Sequence, residues 1–157
     1  MTTTVTIAPV RKSITVKAAP ARAFDAFTRE IAAWWPRTHH VGKADMRSAT
    51  IEPRQGGRWY ETGEDGSESD WGKVLVWDPP GRVVLSWDLD AQFQRNPNRS
   101  SEVEIRFLAE GAGTRVELEH SNLERLGGED GAILRQRVDA PNGWGAILAQ
   151  YATHAAN

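Results

Sequence analysis

Residues 10–18 (VRKSITVKA) alternate apolar and polar, with Val10, Ile14 and Val16 in phase and only Lys12 out of step, which predicts a half-buried strand. The period then changes. From Pro20, a residue suited to the first helical position, the apolar side chains Phe24, Phe27, Ile31, Trp34 and Trp35 recur at helical spacing, while Arg22, Asp25 and Arg29 take the opposite face. Pro36 ends that helix, because proline disfavours helical geometry in the residue before it and brings no N–H. From about residue 46 to 120 the period is two, interrupted by turn chemistry at Gly56-Gly57, at 63–66 (GEDG), at 78–81 (DPPG) and at 111–113 (GAG). The last pair alternates most cleanly: Val103, Ile105 and Phe107 oppose Glu102, Glu104 and Arg106, and Val116, Leu118 and His120 oppose Arg115, Glu117 and Glu119. After a shorter helix over roughly 130–138 and the turn Ala140-Pro141-Asn142-Gly143, the residues Trp144, Ile147, Leu148 and Tyr151 stand at i, i+3, i+4 and i+7.

The predicted class is α+β: a curved antiparallel sheet of about six to seven strands, gripped by a long C-terminal helix, with a helical insertion after the first strand. This is the helix-grip architecture, in one domain over 1–157 with a core of about 10–155. A chain of 157 residues is long enough to bury a single sizeable core.

Composition narrows the function classes. Nineteen basic and 21 acidic residues give a net charge of −2, which provides no electrostatic footprint for nucleic acid or an anionic membrane. The absence of cysteine excludes disulfides, thiolate zinc sites and a cysteine nucleophile, and fits a reducing compartment. The opening MTTTVTIAPV has no charged segment followed by a long apolar one, and no apolar run reaches membrane-spanning length, so the expected location is cytoplasmic. The acidic run 61–70 (ETGEDGSESD) lacks the spacing of a calcium loop and reads as a solvated hairpin tip.

The stretches 72–87 (GKVLVWDPPGRVVLSW) and 52–61 (EPRQGGRWYE), with the FDAF and WWP of the first helix, closely resemble the bacterial Hsp90 ATPase activator homologue (AHSA1)-like proteins. These belong to the START/Bet v 1-like (SRPBCC) superfamily. The resemblance runs from about Val10 to Tyr151. It implies an internal, mostly apolar cavity between sheet and C-terminal helix, used in much of the superfamily for small hydrophobic molecules, and it implies no particular reaction.

The seven tryptophans, at 34, 35, 59, 71, 77, 87 and 144, fit such a cavity, since an indole offers a broad apolar face and one N–H donor. The expected lining is Phe27, Trp35, Trp59, Trp71, Trp87, Phe107, His120, Trp144, Leu148 and Tyr151. Trp71 and Trp77 are linked by an open question of phase, because one bulge reverses which side chains point inward. His120 shares the face of Val116 and Leu118, where it either contacts a ligand or is satisfied within the fold. Tyr60 and Glu61 are strand neighbours, so only one of them can point inward.

In the 32–42 stretch (AAWWPRTHHVG) the tryptophan pair is expected near the cavity entrance, with the RTHH turn facing solvent. Adjacent histidines without H-E-x-x-H or H-x-x-E-H spacing argue against a metal, and no cofactor is expected. No nucleophile motif such as G-x-S-x-G occurs, so catalysis has no positive support. The leading expectation is a non-catalytic binding protein for a small hydrophobic or aromatic ligand. Docking on an Hsp90-type chaperone is the alternative, and an enzyme using His120 comes third. Exposed aromatic edges leave a homodimer open.

Overall fold

The computed structural model describes residues 6–156. Among them, seven strands form a single antiparallel sheet: β1 (Val10–Val16), β2 (Met46–Ile51), β3 (Arg58–Gly63), β4 (Glu68–Asp78), β5 (Arg82–Trp87), β6 (Ser101–Glu110) and β7 (Gly113–Ser121). The spatial order is β1-β7-β6-β5-β4-β3-β2. Consecutive strands from β2 to β7 are therefore neighbours, joined by short turns except for the longer 88–100 connection between β5 and β6, and β1 closes the far edge against β7. Four helices accompany the sheet: α1 (Pro20–Thr28), α2 (Ile31–Trp34), α3 (Gly128–Val138) and α4 (Trp144–Ala155). The curled sheet with α4 packed against β1, α1 and α2 is a helix-grip fold. No helix among the described residues is long and apolar enough to cross a membrane.

The cleanest alternation in the sequence produces the cleanest strands. On β6 and β7, Val103, Ile105, Phe107, Val116, Leu118 and His120 are buried, while the charged residues between them are half-buried or exposed. Register across this hairpin pairs Ile105 with Leu118 and Phe107 with Val116, so apolar side chains meet directly on the covered face.

Strand β4 is less regular. Its pairing slips once against β3, between Trp59 and Tyr60, and once against β5, between Val74 and Val76. Two bulges reverse the phase twice, so Trp71 and Trp77 both reach the helix-covered side, Trp71 against Trp35 and Trp77 against Phe24. Between the bulges Gly72 lies so close to β5 that a Cβ would stand 1.8 Å from the Ser86 carbonyl oxygen. Only glycine fits there.

The first helix departs from the expected single segment over 20–35. The Thr28 hydroxyl donates back to the Phe24 carbonyl at 2.7 Å, Glu30 leaves the helical region, and α2 restarts at Ile31. This break separates the roles of the adjacent tryptophans. Trp34 joins the core, its N–H donating to the Ala26 carbonyl at 2.7 Å, whereas Trp35, in extended conformation, is turned toward β3 and β4.

Candidate functional site

The interface between sheet and helices is packed solid over one half and hollow at one end. The solid half is a chain of edge-on aromatic contacts: Phe24 and Phe27 against Phe107, then Phe27 and Trp34 against Tyr151, with ring centroids 5.1–6.1 Å apart. The Tyr151 hydroxyl donates to the Ala23 carbonyl at 2.7 Å and is 0 % exposed, and burial raises its pKa. Phe27, Phe107, Leu148 and Tyr151 are thus buried in the core and do not line the hollow.

The hollow is a cavity of about 410 Å³. Trp35, Trp71, Trp87 and Trp144 wall it, with Ile147 and Val138 from the C-terminal helices. Its rim comes from three connections: Thr38, His39, His40 and Val41 after α2, Leu89 and Phe93 after β5, and Ala140, Asn142 and Gly143 between α3 and α4, with Arg137 beside them. Gly143 is what lets α4 begin there. A Cβ on it would lie 2.1 Å from the Val138 carbonyl oxygen, so any side chain would push Trp144 off its place.

Five tryptophans from five separate segments meet around this space. Trp35 contacts Trp59, Trp71 and Trp144; Trp59 contacts Trp71 and Trp87; and Trp87 contacts Trp144, all with centroids 4.9–6.3 Å apart. Trp59 stands behind the others and does not line the cavity. Most of the indole N–H groups are already committed: Trp35 to the His39 carbonyl at 2.9 Å, Trp71 to the Glu61 carboxylate at 2.8 Å, and Trp144 to His120 Nδ1 at 3.0 Å. Those of Trp59 and Trp87 are buried and meet no acceptor among the described residues.

His120 is fully buried on β7, beside Trp87 and Trp144, and does not line the cavity. An indole N–H can only donate, so His120 Nδ1 accepts and the ring proton is on Nε2, which donates to Ser101 Oγ at 2.8 Å. Burial pushes its pKa down to about 3, so the ring is neutral at physiological pH. Both nitrogens serve the fold.

Glu61 is the inward member of the Tyr60-Glu61 pair. At 1 % exposure it is not part of a solvated hairpin tip, although it opens that acidic run. Its carboxylate accepts from the backbone N–H groups of Val41 at 2.6 Å and Gly42 at 3.2 Å, and from Trp71. It therefore ties the segment after α2 to the sheet. Tyr60 faces outward, under the Arg58 guanidinium at 4.0 Å. The His39-His40 turn does not simply face solvent either: both side chains are half-buried in the cavity rim, with His39 Nε2 2.7 Å from the Asn142 carbonyl. No cluster of three or more metal-ligating side chains occurs among the described residues.

The rim residues Thr38, Val41, Leu89, Phe93, Arg137 and Asn142 escaped the sequence reading. Five of them lie in connections without periodicity, and Arg137 sits in the last turn of α3. One signal was available: Phe93 is a lone aromatic in the polar stretch 90–100 (DAQFQRNPNRS), and it adopts a left-handed backbone with φ of 58° to turn its ring under Arg137.

Comparison with known proteins gives one consistent result. A family model described as "Activator of Hsp90 ATPase homolog 1-like protein" matches residues 17–155. Comparison with curated proteins finds no match. Among solved structures, the chain is similar to the anthrahydroquino-γ-pyrone synthase Txn09 complexed with SUM, at 39 % identity over 94 % of this chain and 97 % of that one, with a TM-score of 0.65. It is also similar to CalC, a self-sacrificing resistance protein from Micromonospora echinospora, at 31 % identity over 94 % of each chain and a TM-score of 0.67. Protein NE0264 from Nitrosomonas europaea shares 13 % identity over 94 % of each chain at a TM-score of 0.65, a likeness of fold alone.

Proposed function

The chain belongs to the Activator of Hsp90 ATPase homolog 1-like family, and on that premise we propose that it binds a flat, largely apolar aromatic molecule in the cavity walled by Trp35, Trp71, Trp87 and Trp144. The observation that carries this reading is the wall itself. Four indoles from four segments line one space of about 410 Å³, within the size range of sites for drug-sized molecules. Rigid, flat side chains cost little entropy when a planar ligand slides between them, and each ring contact adds to the burial of apolar surface. The names of two similar proteins, a synthase for a fused-ring pyrone and a resistance protein, support a multi-ring product or drug as the ligand class.

The test is a titration of the full chain with tricyclic and tetracyclic quinones and pyrones, read by quenching of tryptophan fluorescence and by calorimetry. Binding tighter than about 1 mM, weakened at least tenfold in Trp35→Ala or Trp144→Ala, is the expected result. No binding by any planar ligand, or binding indifferent to both substitutions, would overturn it.

A catalytic reading has one observation behind it, the 39 % identity to a synthase. Turnover by the full chain of any ligand found in the titration would establish it. His120, sealed behind Trp87 and Trp144 with both nitrogens occupied, is not the group we assign to such a reaction. The family description also carries a chaperone's name, and an Hsp90 ATPase assay with and without the chain tests that partner separately.

A further inference from the structure

We propose that His40 selects aromatic ligands that carry a hydroxyl group, a phenol or enol, by accepting the O–H hydrogen bond at Nε2. This deepens the binding reading above and rests on it. The two adjacent histidines differ in what they have left to offer. His39 Nε2 lies 2.7 Å from the Asn142 carbonyl, which can only accept, so that nitrogen carries the proton. Its Nδ1 takes the Thr38 hydroxyl at 2.9 Å, and both nitrogens are consumed in closing the rim.

His40 directs Nδ1 to the Gly42 carbonyl at 3.0 Å, so Nδ1 carries the proton of the neutral ring and Nε2 is left as an acceptor. No partner for Nε2 occurs among the described residues, and the side chain, 24 % exposed, forms part of the cavity wall. The ring is held in place from behind. Backbone N–H groups of the next two residues, Val41 and Gly42, are fixed on the buried Glu61 carboxylate, which Trp71 holds in turn.

The other polar groups of the wall point to the same ligand chemistry. The N–H donors of Trp35, Trp71 and Trp144 are committed to protein acceptors, and that of Trp87 is sealed in the core. Arg137, at the exposed rim, donates to the Ala91 carbonyl. The indole wall therefore presents no accessible unpaired donor, and His40 at the rim presents an unspent acceptor, which favours a ligand that donates there. The Glu61 carboxylate, 3.9 Å from His40 Nδ1, disfavours an ionised oxygen in the same position.

The probes are 2-naphthol and 2-methylnaphthalene, which share a frame and exchange a hydroxyl for a methyl group. Affinities are measured at neutral pH for the unmodified chain, His40→Leu and His40→Gln, with thermal melts to confirm folding. The quantity read is the ratio of the two affinities, because any general loss of binding and the hydroxyl's own hydration cancel from the comparison between proteins. The ratio is expected to shift about tenfold away from naphthol in His40→Leu, the size of one net hydrogen bond, and to recover in part in His40→Gln, which keeps an acceptor. A ratio unchanged within about twofold in His40→Leu, with both probes bound, overturns the role of His40 while leaving the cavity reading intact. Failure of both probes to bind the unmodified chain overturns this inference together with the reading beneath it.

Discussion

Lowering the pH from 6.5 to 4.5 should remove about 2.5 kcal/mol of stability through His120 alone. The ring is fully buried, and its pKa falls from an ordinary 6.5 to about 3. Between those values the unfolded chain binds a proton that the folded chain refuses, so the folded state loses about 1.4 kcal/mol for each pH unit of acidification. The stability is fully present above 6.5, declines as pH falls, and stops declining near 3, where the folded ring also protonates. Acidic groups enter only at the bottom of this window, and they do so equally in the unmodified chain and the variant. Glu30 and Asp139, whose pKa values are lowered by Arg22 and Lys12 respectively, begin to lose their contributions as pH nears their ordinary values of 4.5 and 3.8 and lose most of them below. For a chain of this size the His120 loss corresponds to a melting temperature lower by roughly 5–10 °C. The assay is urea unfolding at half-unit pH steps for the unmodified chain and His120→Asn. The variant starts lower, having lost bonds to Ser101 and Trp144, but the gap between the two curves should narrow by about 2.5 kcal/mol from pH 6.5 to 4.5. Parallel curves across that window would refute the reasoning, as would an NMR titration in which the His120 ring protonates near 6.

Three further outcomes follow from single contacts. Glu61→Gln retains the shape but turns an NH₂ toward a backbone or indole donor that the carboxylate satisfied, which should cost about 1–3 kcal/mol in urea unfolding; a change below about 0.5 kcal/mol would show that Glu61 does not hold the 41–42 segment. Gly143→Ala places a methyl against the Val138 carbonyl, so a loss of about 1–3 kcal/mol with an altered near-UV tryptophan signal is expected, and a neutral result would mean that the turn relaxes freely. Tyr151→Phe removes only the bond to the Ala23 carbonyl and should lower the melting temperature by about 2–4 °C, with no effect on ligand titrations because the hydroxyl lies in the packed half of the interface.

Strand positions were legible where a single period governs burial. On β6 and β7 every inward residue follows from alternation, and α4 follows from the spacing of Trp144, Ile147, Leu148 and Tyr151. Two features broke the reading, both for local reasons that carry no period. The back-bond from Thr28 divides the first helix, although the apolar spacing runs through the break without a fault. The bulges of β4 reverse phase twice, and the need for them shows only in three dimensions, where Gly72 touches the Ser86 carbonyl.

The site illustrates the same limit at a larger scale. Indoles announce themselves by number, and the five tryptophans that converge are drawn from five segments whose meeting the fold class already required. Which rings face empty space is a different matter. Trp59 and Trp87 both point inward, yet only Trp87 borders the cavity, because Trp35 and Trp71 stand between Trp59 and the rim. Vacancy depends on the loops that cap the sheet, and those loops are positioned by polar contacts over long separations: Glu61 to Val41, and His39 to Asn142. A buried carboxylate at the start of an acidic run is indistinguishable in one dimension from its solvated neighbours. What distinguishes it is the set of donors that folding delivers to it, and those same donors leave His40 held with one nitrogen unspent. If the cavity binds its ligand as proposed, selection rests on the unpaired remainder of the hydrogen bonds more than on the apolar pattern, and exchanging the 38–42 segment between relatives should transfer hydroxyl preference without moving the aromatic wall.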